Sequence, residues 1–173
     1  LSKTEREKAL AVYGFVKRMP LTRPMRLRVH TAREVLDFGR GDGSDKVTLL
    51  VAMLRIAGIP ARVRYVLFDG KMLRGLTTRV RQAARPLLEV WLHGRWLRTD
   101  TYIFDAAYMA AARQRLRERG WEWGFGIHVN GAMLWDGYES AFVAAVHTDA
   151  DPMVLKDLGF FHDPMEFLGS HPN

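Results

Sequence analysis

Residues 40–65 read R-G-D-G-S-D-K-V-T-L-L-V-A-M-L-R-I-A-G-I-P-A-R-V-R-Y, which spells a turn, a helix and a strand in that order. Gly39 and Gly41 give the turn the positive φ values that other residues avoid. Asp42 is a good N-cap, and Asp45 stands in the first turn, where the helix dipole favours negative charge. Val47, Leu49, Leu50, Val51, Met53, Leu54 and Ile56 then place apolar side chains on nearly every side, the mark of a helix buried from more than one direction. Gly58 is the expected stop, and Pro60 blocks continuation. Residues 59–68 set Val63, Tyr65 and Leu67 against Arg62, Arg64 and Val66, a strand alternation.

This stretch resembles the core motif of the transglutaminase-like family, the papain-like group that includes bacterial cysteine proteases and peptide N-glycanases. Nearly all of the family string G-x-G-x-C-S-D-K-A-x-L-L-x-A-L-L-R-A-x-G-I-P-A-R is present, but Gly43 stands where the family has its nucleophilic cysteine. The chain has no cysteine at any other position. A second landmark, H-A-W-V-E-V-Y-L-D-G-R-W-x-x-x-D, is similar to residues 85–96 followed by Thr99 and Asp100. There Arg85 takes the place of the general-base histidine, and Asp100 that of the orienting acid. The resemblance covers about residues 4–105. It implies an α+β fold of the papain-like type, with a buried central helix packed on a mostly antiparallel sheet. One domain over residues 1–173 is expected, residues 106–173 forming an accessory C-terminal portion.

Composition bounds the rest. The 173 residues, 48% of them hydrophobic, are enough for one full core. No apolar run is long enough to span a membrane, and no hydrophobic signal segment is visible at the start, so a cytoplasmic protein is expected. Without cysteine there are neither disulfides nor thiolate metal sites. The net charge of +7 is unevenly placed: residues 1–86 carry 19 Lys/Arg against 7 Asp/Glu, and residues 87–173 carry 7 against 12. Nucleic acid is one reading of that imbalance. The arginines, however, are scattered along helices and strands and form no compact arm or reader motif.

Outward from the central stretch, residues 2–19 read as an amphipathic helix with Thr4 and Glu7 at capping-box spacing. Residues 21–30 read as a loop or irregular strand. Thr31 and Glu34 repeat the capping signal before a short helix that stops at Gly39. Residues 69–84 are polar and basic and read as a surface loop. Residues 87–92 and 95–99 are strands joined by His93-Gly94, a two-residue hairpin turn. Residues 105–119 are helical, their alanines making one side small enough for close packing and their arginines a solvated surface. Asn130-Gly131 and Asp136-Gly137 are turn signals for two hairpins that would extend the sheet or cover the cleft. A short helix is expected after Asp151-Pro152, running to Leu158 and capped by Gly159.

The altered motif dictates the chemistry. A cysteine at a helix N-terminus reacts as thiolate because backbone amides and the dipole favour the charge, with histidine taking the proton. Glycine has nothing to attack with. Ser44 is no substitute, since one residue further along a helix turns it by about 100°. Helix-start amides near Gly43 and Ser44 retain an anion-binding character. The ligand-binding candidates are therefore Arg40, Asp42, Gly43, Ser44, Arg85 and Trp91, with a small acid clamped by Arg85 and Arg40. The competing arrangement is an ion pair between Arg85 and Asp100. For acid–base chemistry the candidates are Asp100, His128 and Tyr102, with His128 reaching Asp100 if the C-terminal portion folds back. No ligand spacing marks a metal site, and no cofactor is expected.

Three functional classes follow. The first is a pseudoenzyme, a transglutaminase-like protein without the Cys-His pair that acts as a non-thiol binding or regulatory module for a small acidic ligand or a protein partner. The second is an enzyme that reuses the cleft for acid–base chemistry or cyclisation of a small biosynthetic intermediate. The third, less favoured, is a nucleic-acid binder.

Overall fold

In the computed structural model, which describes residues 2–23, 28–146 and 151–171, three capped helices precede the sheet. They are α1 (Glu5–Lys17), α2 (Ala32–Phe38) and α3 (Gly43–Ile56). Each opens on a reciprocal capping box, Thr4 with Glu7, Thr31 with Glu34 and Asp42 with Asp45, so the donors at its start are satisfied by its own chain. Gly39 closes α2 at φ 65°, and Gly58 follows α3 at φ 80°. Gly41 is not at positive φ; glycine is needed there because a Cβ would lie 2.5 Å from the Asp45 Cβ. Of the apolar run, Ile56 is a correction: it is 86% exposed, while Leu50 and Leu54 are buried. Residues 24–27, within the expected loop, lie outside the described residues.

The strands β1 (Ala61–Asp69), β2 (Gln82–Leu92) and β3 (Arg95–Thr99) follow. His93 at φ 54° and Gly94 at φ 76° make the predicted two-residue turn between β2 and β3. β2 begins five residues earlier than the apolar pattern indicates, because Gln82 to Pro86 pair with Asp69 to Tyr65 of β1. After β3 come a 3-10 turn (Thr101–Ile103) and α4 (Ala106–Arg119), N-capped by Asp105. The alanine face of α4 is another correction. Met109, Ala112 and Leu116 are its buried residues, and most of the alanines face solvent. Arg113 also leaves the expected solvated surface, donating to Gly131 O at 2.6 Å.

The C-terminal portion departs most from expectation. A two-residue pair, β4 (Trp123–Gly124) with β5 (Ile127–His128), turns at Phe125-Gly126 and not at Asn130-Gly131. Residues 132–135 form no returning strand. Where a helix was expected there is β6 (Val154–Phe161), antiparallel to β1, with register shifts along the pair. Gly159, at φ 94°, is a residue inside the strand and not a helix cap. The last helix is α5 (Pro164–Ser170).

The main sheet therefore runs β3-β2-β1-β6, with every pair antiparallel. One face carries Val63, Leu88, Val90 and Leu97 into the core with Leu50 and Leu54 of α3. Each such leucine, cut to alanine, would cost about 2–5 kcal/mol. On the other face Val66 and Leu87 pack under Phe142 and Ala145, and Phe68 under Ala144 and Met153. The tail thus crosses the back of the sheet where β2 begins. No helix among the described residues is long and apolar enough to cross a membrane.

Candidate functional site

Position 43 lies beside Pro86, the neighbour of Arg85, and beside the turn that follows Asp100. Gly43 is the first residue of α3. A Cβ placed on it would lie 3.3 Å from Ile103 Cδ1 and 3.6 Å from Pro86 Cγ. Pro86 follows Arg85 in β2, and Ile103 belongs to the turn that follows Asp100. Lys46 ties that turn to α3, its Nζ donating to Ile103 O at 2.9 Å. Lys17 of α1 reaches the same turn, donating to Thr101 O at 2.8 Å and Phe104 O at 2.7 Å. Burial lowers both lysines to a pKa of about 8, against opposing attraction from Asp105.

Arg85 and Asp100 form a closed unit. The Arg85 Nη1 donates to Asp100 Oδ2 at 3.1 Å, and its Nη2 donates to Gly126 O at 3.0 Å. The other Asp100 oxygen accepts the Val143 amide at 2.9 Å. The guanidinium lies between two rings, 4.8 Å from the Phe68 centroid and 5.6 Å from that of Phe104. Arg85 is 7% exposed and Asp100 0%. Of the two arrangements open to Arg85, the ion pair is the one present. Each carboxylate oxygen has a donor of the same chain, and the side chain is 0% exposed, so a substrate has no open path to it.

The other candidates do not complete an acid–base site. Tyr102 is fully buried, and its hydroxyl donates to Pro86 O at 2.8 Å. Burial raises its pKa well above the usual phenol range. His128 does not pair with Asp100. Its Nδ1 accepts the Asn130 amide at 2.9 Å and its ring stands edge-on to Trp123 at 4.8 Å, with burial lowering its pKa. The tail does fold back, but it delivers the Val143 main chain to Asp100 instead of an imidazole.

Nor does the start of α3 stand open. The Asp45 amide donates to Asp42 Oδ1 at 2.9 Å, so a carboxylate of the same chain already caps this helix N-terminus. Burial raises the Asp42 pKa. Ser44 stands half-buried in the first turn of α3, beside Tyr65. Arg40 is exposed in the turn before α3. Trp91 is six residues along β2 from Arg85, roughly 20 Å in an extended strand. It is 40% exposed and edge-on to Trp96 at 5.4 Å. His30 bonds Asp45 through Nδ1 at 2.8 Å, and His93 stacks on Tyr138.

Sequence reasoning missed the buried charge cluster around Glu89, which lies on the same strand face as Arg85. Glu89 is 0% exposed and accepts from Arg62 at 2.7 Å, Arg64 at 3.0 Å and Arg98 at 2.6 Å. Burial alone would raise its pKa, but the three guanidinium hydrogen bonds outweigh that and hold it below the usual range. The signal was the strand register, which places Arg62 and Arg98 directly opposite Glu89. Among the described residues no group of three His, Asp or Glu stands ready to hold a metal ion.

Residues 1–101 match the family model described as the Transglutaminase-like superfamily. Among solved structures the chain is similar to one described as "a Putative Cysteine Protease from Cytophaga hutchinsonii", at 19% identity and a TM-score of 0.43. That match covers 61% of this chain and 32% of the other, so the shared part is about a third of that protein's length. No curated protein matches.

Proposed function

This chain belongs to the transglutaminase-like superfamily, and from that premise we propose that it uses the scaffold to bind a partner molecule instead of transferring acyl groups. One observation carries the reading. The surviving acid of the family triad is sealed in a buried pair with Arg85, and both its oxygens are engaged. Gly43 adds no nucleophile, and the space in front of it is held by Ile103 and Pro86. Acid–base turnover at Asp100 would require that pair to open, which leaves a buried guanidinium uncompensated at a cost of several kcal/mol. Four of the arginines that raised the nucleic-acid reading, Arg62, Arg64, Arg85 and Arg98, are bonded to carboxylates of the same chain. That favours a small ligand or a protein over a phosphate backbone.

The test is direct. Purified protein is incubated with a dye-labelled peptide amide, with and without a primary amine, and products are followed by mass spectrometry. The expected outcome is neither hydrolysis nor crosslinking at any protein concentration. Turnover that scales with protein and disappears in Asp100→Asn would overturn the reading.

A further inference from the structure

We infer that the cleft between residues 69–81 and 120–123 binds a small organic oxyanion carrying a flat apolar group; the inference rests on the binding-module reading above. The cleft encloses about 760 Å³, within the range of small-molecule sites. Its working residues are Lys71, Arg74, Arg81, Val80, Trp121 and Trp123. None of them belongs to the former catalytic positions.

Charge names the ligand's head. The segment 69–81 carries Lys71, Arg74, Arg79 and Arg81 against one carboxylate, Asp69. Asp69 turns its oxygen to the Lys71 amide at 2.9 Å. Among the described residues none of these four cations forms an ion pair, in contrast to the arginines of the sheet. Arg74 is held over the Trp121 ring, its guanidinium 3.7 Å from the centroid. A guanidinium so placed keeps N–H groups available for a carboxylate or phosphate. Trp123 and Val80 supply the apolar wall for the body of the ligand, and the Trp121 ring carries Arg74 and Arg119. Glu122 also lines the cleft; together with Asp69 it works against a polyanion and favours a small ligand with one charged group.

The walls are held in place before any ligand arrives. The Gly70 amide donates to Arg81 O at 2.8 Å, and a Cβ on Gly70 would lie 1.9 Å from Val80 O, so only glycine permits that crossing. Across the cleft, the amide of Phe125 donates to Arg74 O at 2.8 Å and that of Gly126 to Met72 O at 2.6 Å. The Trp123 indole N–H is fixed on Ala144 O at 3.2 Å. Gly126 O is the carbonyl that Arg85 grips. The residue in the old general-base position thus braces one wall of the new cleft. Such preorganisation lowers the cost of ordering the site on binding.

The probes are indole-3-acetate, phenyl phosphate and inorganic phosphate, titrated into the full chain with the tryptophan indole N–H resonances followed by NMR. The expected result is saturable movement of the Trp121 resonance with indole-3-acetate, phenyl phosphate or both, the stronger of the two identifying carboxylate or phosphate as the head group. Inorganic phosphate should bind at least tenfold more weakly. Arg81→Ala, which removes an exposed side chain and no internal bond, should weaken the better probe about tenfold or more, as should Arg74→Ala. An unmoved Trp121 resonance with every probe, equal binding of inorganic phosphate, or affinity unchanged in both variants would overturn the site. Those outcomes leave the peptide-amide assay untouched, so loss of the cleft and loss of the binding-module reading are separate results.

Discussion

Arg85 Nη1 and Asp100 Oδ2 meet at 3.1 Å in a place where water has almost no access to either side chain. The two motifs imply that in the transglutaminase-like family the same two positions hold a base and its orienting acid. Here the pair joins β2, the turn after β3, the 126 carbonyl and the Val143 amide. A charge pair so enclosed contributes little net stability against an apolar substitute but is very costly to break from one side. The pair thereby ties four chain segments together.

Restoring the missing side chains should not restore the reaction. In Gly43→Cys/Arg85→His the new Cβ meets Ile103 at 3.3 Å, and the Asp42 carboxylate at the same helix start opposes a thiolate. Alkylation by iodoacetamide at neutral pH should run no faster than for an ordinary thiol of pKa about 8.5, with no peptide hydrolysis. Labelling well above that rate, read by intact mass, would show the cleft to be open.

The alkaline limb of stability should rise before it falls. Lys17 and Lys46 are lowered from 10.5 to about 8 by burial, so their contribution is complete above 10.5 and is lost as pH drops through about 8. Tyr13 and Tyr65 are raised from 10.0 to about 12 by burial, so theirs is complete below 10 and is lost as pH climbs through about 12. Urea midpoints should increase from about pH 8 to about 10 and decline toward 12. Lys46→Met should flatten the rise. A profile that is level or falling from pH 8 to 10 would contradict these assignments.

Glu89 should govern the acid limb. Its pKa is held low by Arg62, Arg64 and Arg98 against the effect of burial, so its stabilisation is present above the ordinary glutamate value of about 4.3 and is lost as pH falls through the folded value. Glu89→Gln should destabilise by about 3–5 kcal/mol at neutral pH, as expected for one partner removed from a buried network. It should also reduce the pH dependence below 5, as followed by circular dichroism. A loss under about 1 kcal/mol would place the network in the solvated class.

Local hydrogen-bond chemistry was the most legible part of the chain. Thr4, Thr31 and Asp42 announce three helices because a capping box is written within four residues, and His93-Gly94 announces a hairpin because the turn demands positive φ. Positions 43, 85 and 100 are singled out by two motifs, and of these 85 and 100 are paired in the structure. What surrounds them was not legible. Val143 reaches Asp100 through a backbone amide, which has no side-chain signature, from 43 residues away. β6 was hidden for a related reason: its pairing with β1 spans some ninety residues, and Gly159 inside it looks like a helix stop. The alanines of α4 show the limit of composition, since small residues pack closely only when a partner lies opposite.

The account stands on Arg85 and Asp100 being a buried strut, and a double-mutant cycle measures that most directly. Urea unfolding of wild type, Arg85→Met, Asp100→Asn and the double variant gives the coupling between the two side chains. The prediction is a loss of about 3–5 kcal/mol for Arg85→Met, which strands a buried carboxylate, and partial recovery when Asp100→Asn is added. Losses below about 1 kcal/mol that simply add would mean a solvated pair, free to serve a substrate, and would contradict the account.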